Sequence, residues 1–72
     1  MIVKVQKPIM TNDPKRPFFV YAEGHTNARG VPEKDVPKHV RGALKYRFRA
    51  FFEAEWSGKH WVIGKQVKAQ DW

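Results

Sequence analysis

Short apolar runs separated by turn-forming residues indicate strands in the first half of the chain. The alternating, β-branched run Ile2–Gln6 predicts a first strand. Residues 11–17 contain Asn, Asp and two prolines, which predict a turn, and the aromatic run Phe18–Ala22 predicts a second strand. A further turn is expected at residues 24–27, followed by a short third strand over residues 28–31.

The middle of the chain has the period of an amphipathic helix. Its body is predicted over residues 38–45, with a start near either Glu33 or Pro37, because proline is tolerated only in a first helical turn. At about 100° per residue one side of this helix is apolar and the other is cationic. The apolar side holds Val36, Val40, Ala43 and Leu44, and the cationic side holds Lys34, Lys38, Arg41 and Lys45.

The segment 45–56, KYRFRAFFEAEW, fits a helix by propensity and a strand by pattern. A continued helix would place Arg47 in the apolar side and Phe52 in the cationic side. Period two instead gathers Tyr46, Phe48, Ala50, Phe52, Ala54 and Trp56 on one face. Such alternation is typical of a half-buried strand, so we predict a strand here.

The chain then predicts a hairpin. A two-residue loop at Ser57 and Gly58 would place Trp56 opposite Lys59 and bring the apolar faces of the two strands together. The same register pairs Ala54 with Trp61, Phe52 with Ile63, and Glu55 with His60. The last strand is expected over residues 60–67, and Trp72 in the tail is expected either to pack on the sheet or to be exposed.

These elements predict an α+β fold in the order β-β-(β)-α-β-β. A small, twisted antiparallel sheet of four to five strands would pack on one amphipathic helix, as a single domain of 72 residues. The expected core is Val3, Val5, Phe19, Tyr21, Val40, Leu44, Phe48, Phe52, Trp56, Trp61 and Ile63.

Composition adds a strong positive charge. Fourteen Lys and Arg against seven Asp and Glu give a net charge of +7, which favours polyanionic partners. The sequence has no cysteine, no signal-peptide pattern and no apolar run long enough to span a bilayer. We therefore expect a soluble, cytoplasmic protein that does not contact membranes.

Candidate catalytic chemistry is sparse. Ser57 is the only serine and falls in a predicted turn, and nucleophilic catalysis by cysteine is excluded. The three histidines His25, His39 and His60 lack the spacing of metal ligands. We expect no enzymatic activity, no metal and no cofactor.

The cations concentrate between residues 34 and 49, where six Lys or Arg accompany one acid, a net charge of +5. They form a cationic stripe on the helix and the following strand, and Phe51 interrupts the charged face of that strand. Phe51 either stacks on a base or is covered, and we favour a covered ring. The candidate nucleic-acid-binding residues are Lys34, Lys38, Arg41, Lys45, Arg47, Arg49 and Phe51.

The stripe predicts a small non-catalytic module that binds nucleic acid, either DNA or RNA, as a monomer or a homodimer. An amphipathic helix also needs a polar face for solvation alone, so the stripe does not require a ligand. The alternative function is a protein-interaction module, such as an inhibitor, adaptor or accessory factor of phage or mobile-element origin. It would dock on an acidic protein surface.

Overall fold

The computed structural model describes residues 1–8, 10–22, 27–45 and 49–68. Within them lie five strands and one α-helix, in the predicted order. The elements are β1 (Ile2–Gln6), β2 (Phe18–Ala22), β3 (Arg29–Val31), a 3-10 turn (Glu33–Asp35), α1 (Lys38–Ala43), β4 (Arg49–Trp56) and β5 (Trp61–Gln66). All strand pairs are antiparallel in the order β3-β2-β1-β4-β5, which confirms the α+β class.

The sheet is curled, and the core lies on its concave face. Arg29 of β3 and Trp56 of β4 are separated by two intervening strands, which in a flat sheet would put their backbones about 14 Å apart. The Arg29 guanidinium carbon nevertheless lies 4.5 Å from the centre of the Trp56 ring. The concave face carries Val3, Val5, Phe18, Val20, Ala22, Val31, Ala50, Phe52, Ala54, Trp61 and Ile63.

The helical segment packs on this concave face through its apolar side. Val36, Val40 and Leu44 are buried, whereas Lys34 and Lys38 are exposed, so the predicted amphipathic division is confirmed. Both predicted starts are used, because the 3-10 turn begins at Glu33 and α1 begins after Pro37 as its N-cap. The α-helix ends at Ala43, two residues earlier than the predicted end at Lys45.

Two side chains tie the helical segment to the far edge of the sheet. His39 Nε2 donates a hydrogen bond to the Gly64 carbonyl oxygen at 2.6 Å, and the His39 ring meets the Phe52 ring edge-on at 5.8 Å. Asp35 Oδ2 lies 3.8 Å from His60 Nε2 in the β4–β5 loop. The predicted partnership of His60 with Glu55 is therefore wrong, since Glu55 lies opposite Val62.

The prediction of which side of β2 faces the core was also wrong. Phe19 and Tyr21 were expected in the core, but they lie on the convex face and are half-buried. The concave positions are Phe18, Val20 and Ala22. All five residues of this strand are apolar or aromatic, so alternation could not choose a face, and pairing with Val3 and Val5 of β1 decides it.

The predicted hairpin forms, but its register differs by two residues. Trp56 lies opposite Trp61 and Ala54 opposite Ile63, with a bulge between Phe52 and Ala54. The loop is longer than expected because the Ser57 backbone N–H and hydroxyl both donate to the His60 carbonyl oxygen, at 3.0 and 2.8 Å. Gly58 has a φ of 98°, the left-handed conformation expected of it.

Trp56 is a further correction to the predicted core, since 41% of its surface is exposed. It is the last residue of β4, at an end of the concave face where its ring contacts Arg29 and Trp61 instead of the helix. The other predicted core residues that the structure describes are buried: Val3, Val5, Val40, Leu44, Phe52, Trp61 and Ile63. Phe48 and Trp72 lie outside the described residues.

Candidate nucleic-acid interface

A groove of about 700 Å³ opens between α1 and the end of the sheet where β1 stops and β2 begins. Lys38, Arg41 and Lys45 border it from the helical side, and Lys7 borders it from the sheet. Phe18 and Leu44 supply apolar surface between them. We call this feature the cationic groove, lined by Lys7, Phe18, Glu33, Lys38, Arg41, Gly42, Leu44 and Lys45.

Burial of the apolar helix side explains why three cations converge on the groove. Val40 is fully buried and Leu44 is 8% exposed, so positions 38, 41 and 45 are turned to the opposite, solvent-facing side. Lys38 and Arg41 are both in α1, where three residues at 1.5 Å each separate them by about 4.5 Å along the helix axis. One strand of a nucleic-acid duplex advances about 3.4 Å per phosphate, so this spacing is close to that of adjacent phosphates.

Lys7 completes the groove from the sheet. It follows directly after β1, and its Nζ lies 5.7 Å from the centre of the Phe18 ring. The contact is within the range of a cation–π interaction and holds the ammonium group at the groove wall. The groove therefore has cations on two sides and an aromatic residue between them.

Most of the groove cations have no carboxylate beside them in the described part of the chain. There, Glu33 is the one acidic residue that lines the groove with the four cations. Among the described residues, no carboxylate oxygen lies within 4.0 Å of the charged nitrogens of Lys7, Lys38 or Arg41. Exposed cations without an adjacent carboxylate attract polyanions and gain free energy by releasing the counterions of a nucleic acid.

The structure does not bring the whole predicted stripe together. Lys34 is exposed on the 3-10 turn but does not line the groove. Arg49 is exposed at the start of β4, on the convex face, opposite Gln6 of β1. Arg47 lies outside the described residues. The predicted stripe therefore divides into a groove cluster and a cation on the other face of the sheet.

Phe51 is covered, as we predicted from the sequence. It lies on the convex face opposite Lys4 of β1 and is 8% exposed. A ring with so little accessible surface offers no face on which a base could stack. The groove cations therefore make the stronger candidate site.

Sequence reasoning missed Lys7 and Phe18 as groove residues. Lys7 continues the odd-numbered set of Val3 and Val5, which was a usable signal that it points toward the concave side. Phe18 was missed because the wrong face of β2 was assigned to the core. Tyr21, misassigned with it, lies half-buried on the convex face with the Lys4 ammonium 5.4 Å from its ring.

The described side chains are not arranged as a metal site or as a nucleophile with an adjacent base. No three His, Asp or Glu side chains there converge as metal ligands. Ser57 uses its hydroxyl to close the hairpin loop, and His39 and His60 contact different elements. His25 lies outside the described residues.

Comparisons with known proteins gave no further assignment. No family model, no curated protein and no solved structure matches the chain. Across the described residues, no helix combines the length and the apolar character that a membrane span requires.

Proposed function

We propose that the protein is a non-catalytic module that binds nucleic acid through the cationic groove. The observation that carries the proposal is the convergence of Lys7, Lys38, Arg41 and Lys45 around one concave surface, with one carboxylate among the described residues that line it. Cations that approach a groove from two sides can contact a phosphate backbone that runs through it. Such contacts hold the backbone and carry little sequence information.

Charge dominates the expected binding mode. Phe18 in the groove is 3% exposed, so base stacking there contributes little. With about four phosphates neutralised, the logarithm of the association constant should fall with the logarithm of salt at a slope of about −2.8 for a single strand and −3.6 for a duplex. Between 50 and 200 mM salt this corresponds to a loss of about 50-fold or 150-fold in affinity.

Fluorescence anisotropy tests the proposal directly. Labelled single-stranded DNA, duplex DNA and RNA are titrated with the protein at several salt concentrations. The test variant is Lys38→Gln with Arg41→Gln, which should roughly halve the slope because two of about four contacts are lost. The matched control is Lys59→Gln with Lys65→Gln, which removes the same charge from exposed residues that do not line the groove.

The control variant distinguishes binding at the groove from binding that depends only on the net charge of the protein. If both double variants weaken binding equally, the groove has no special role and the proposal fails. It also fails if none of the three nucleic acids binds the parent protein at 50 mM salt.

The alternative partner is an acidic protein surface, which the same groove could accept. Poly-L-glutamate is the probe for it, used both as a direct ligand and as a competitor. Binding of the polypeptide without binding of any nucleic acid would replace the proposed function with protein docking. The proposal is supported if unlabelled nucleic acid displaces the labelled nucleic acid and poly-L-glutamate at a comparable concentration of charge does not.

A further inference from the structure

A second concavity lies at the opposite end of the concave face. It has a volume of about 470 Å³, within the range of small-molecule sites. We call it the tryptophan pocket, and it is lined by Met1, Val20, Ala22, Asn27, Ala28, Arg29, Trp56 and Trp61. Met1 precedes β1 and Lys7 follows it, so the pocket and the cationic groove are about 20 Å apart along this strand.

Two indole rings form one wall of the pocket. Trp56 and Trp61 lie directly opposite each other on β4 and β5, with ring centroids 5.5 Å apart and an interplanar angle of 62°. Trp61 is 7% exposed, whereas Trp56 is 41% exposed. One ring is therefore fixed in the core, and the other presents aromatic surface to a ligand.

Arg29 places a cation beside this wall. Its guanidinium carbon lies 4.5 Å from the centre of the Trp56 ring, the distance of a cation–π stack. No carboxylate oxygen lies within 4.0 Å of it among the described residues. A guanidinium that stacks through its face keeps its edge N–H groups available, and these match a carboxylate or phosphate in bidentate geometry.

Trp61, one of the residues that line the pocket, carries a buried donor. The Trp61 indole Nε1 is inaccessible to solvent and has no hydrogen-bond partner in the described part of the chain. Buried donors in native proteins are almost always paired, so the Trp61 indole N–H is a sensitive position at which to follow changes near the pocket. Val20 and Ala22 contribute apolar side chains to the lining, although only 1% and 5% of their surfaces are exposed.

We infer that the tryptophan pocket binds a planar ring that carries an anionic group. The ring would pack against the exposed part of Trp56, and the anion would pair with the guanidinium group of Arg29. A nucleotide and an aromatic carboxylate share this chemistry. The inference goes beyond the proposed function, since none of its residues lines the cationic groove.

The experiment follows the indole N–H signals of the full chain by ¹H–¹⁵N NMR at 150 mM salt. The probes are adenosine 5′-monophosphate, benzoate, adenosine and inorganic phosphate, so that ring and anion are supplied together and separately. Trp56→Phe assigns the Trp56 signal. We expect the monophosphate or benzoate to shift the Trp56 and Trp61 signals and to bind about tenfold or more tightly than adenosine or phosphate.

Variants of Arg29 test the role of the cation. Arg29→Gln should reduce the affinity for the anionic ring to that of the neutral ring, and Arg29→Lys should give an intermediate value because it keeps charge without a planar fork. Arg29 is exposed, so both variants should fold, which circular dichroism can verify. Unchanged affinity in Arg29→Gln, or indole signals unmoved by every probe, would overturn the inference.

The probes also separate the two ligand sources. Shifts with the monophosphate alone would indicate a nucleotide, and shifts with benzoate alone would indicate an aromatic carboxylate. Lys38→Gln with Arg41→Gln should leave the pocket affinity unchanged, and Arg29→Gln should leave the salt slope of oligonucleotide binding unchanged. Failure of one site is thus distinguishable from failure of the other.

Discussion

Phe18 and Phe19 are adjacent residues of identical chemistry on opposite faces of β2, so they test the core assignment directly. Phe18 is 3% exposed on the concave face, whereas Phe19 is half-buried on the convex face. Phe18→Ala should cost about 3–5 kcal/mol, because it removes a buried ring and leaves a cavity. Phe19→Ala should cost only about 1 kcal/mol, because water can fill the vacated space.

Urea unfolding followed by circular dichroism measures the difference. A chain of 72 residues has a free energy of unfolding of about 4–11 kcal/mol, so Phe18→Ala removes a large share of it. At about 1 kcal/mol per molar urea, its midpoint should fall by about 3–5 M. Phe18→Leu, with an expected cost below about 1.5 kcal/mol, stays measurable if the alanine variant does not fold. An equal or larger loss in Phe19→Ala would refute the assigned face of β2.

Two further sets of variants test the backbone and the helix contact. Gly42→Ala should stabilise the protein by about 0.5–1 kcal/mol, because among the described residues a methyl group at this position meets no atom within 4 Å outside the helix's own backbone and the neighbouring residues. Gly58→Ala should destabilise it by about 1–2 kcal/mol, because φ is 98°; equal thermal midpoints of the two variants would contradict this reasoning. His39→Ala should cost about 1 kcal/mol by removing the 2.6 Å hydrogen bond to Gly64, and an unchanged urea midpoint would show that this contact does not contribute.

The sequence predicted most elements because the hydrophobic period of each segment favoured one structure, even in residues 45–56, where propensity favoured a helix. Ile2–Gln6 and Phe18–Ala22 have the predicted bounds, and the short third strand was expected one residue longer than Arg29–Val31. The alternating pattern could not predict the hairpin register, because a shift of two residues leaves every side chain on the same face. That shift depends on the hydroxyl of Ser57, whose hydrogen bonds close a loop longer than two residues.

Only part of each candidate site could be predicted from the sequence. The spacing of Lys38, Arg41 and Lys45 predicts a shared helix side, since it depends only on the period of the helix. Lys7 and Arg29 reach their sites from distant strands, so their placement depends on the curl of the sheet and on which face each strand turns inward. Alternation within β1 indicates only which face Lys7 shares with Val3 and Val5, and it does not predict the curl that brings either residue to its site.

The two candidate sites have a common origin in the shortness of α1. Six helical residues extend about 9 Å, whereas the eight residues of β4 extend about 27 Å, so one such helix cannot cover the concave face. Val36, Val40 and Leu44 pack on the concave face, and among the described residues a concavity lies at each end of it. An exposed apolar surface promotes association between protein molecules unless polar groups border it. Cations border one end, and Arg29 beside Trp56 borders the other, so each opening remains compatible with water. Both ligands that we propose carry the negative charge that these residues would complement.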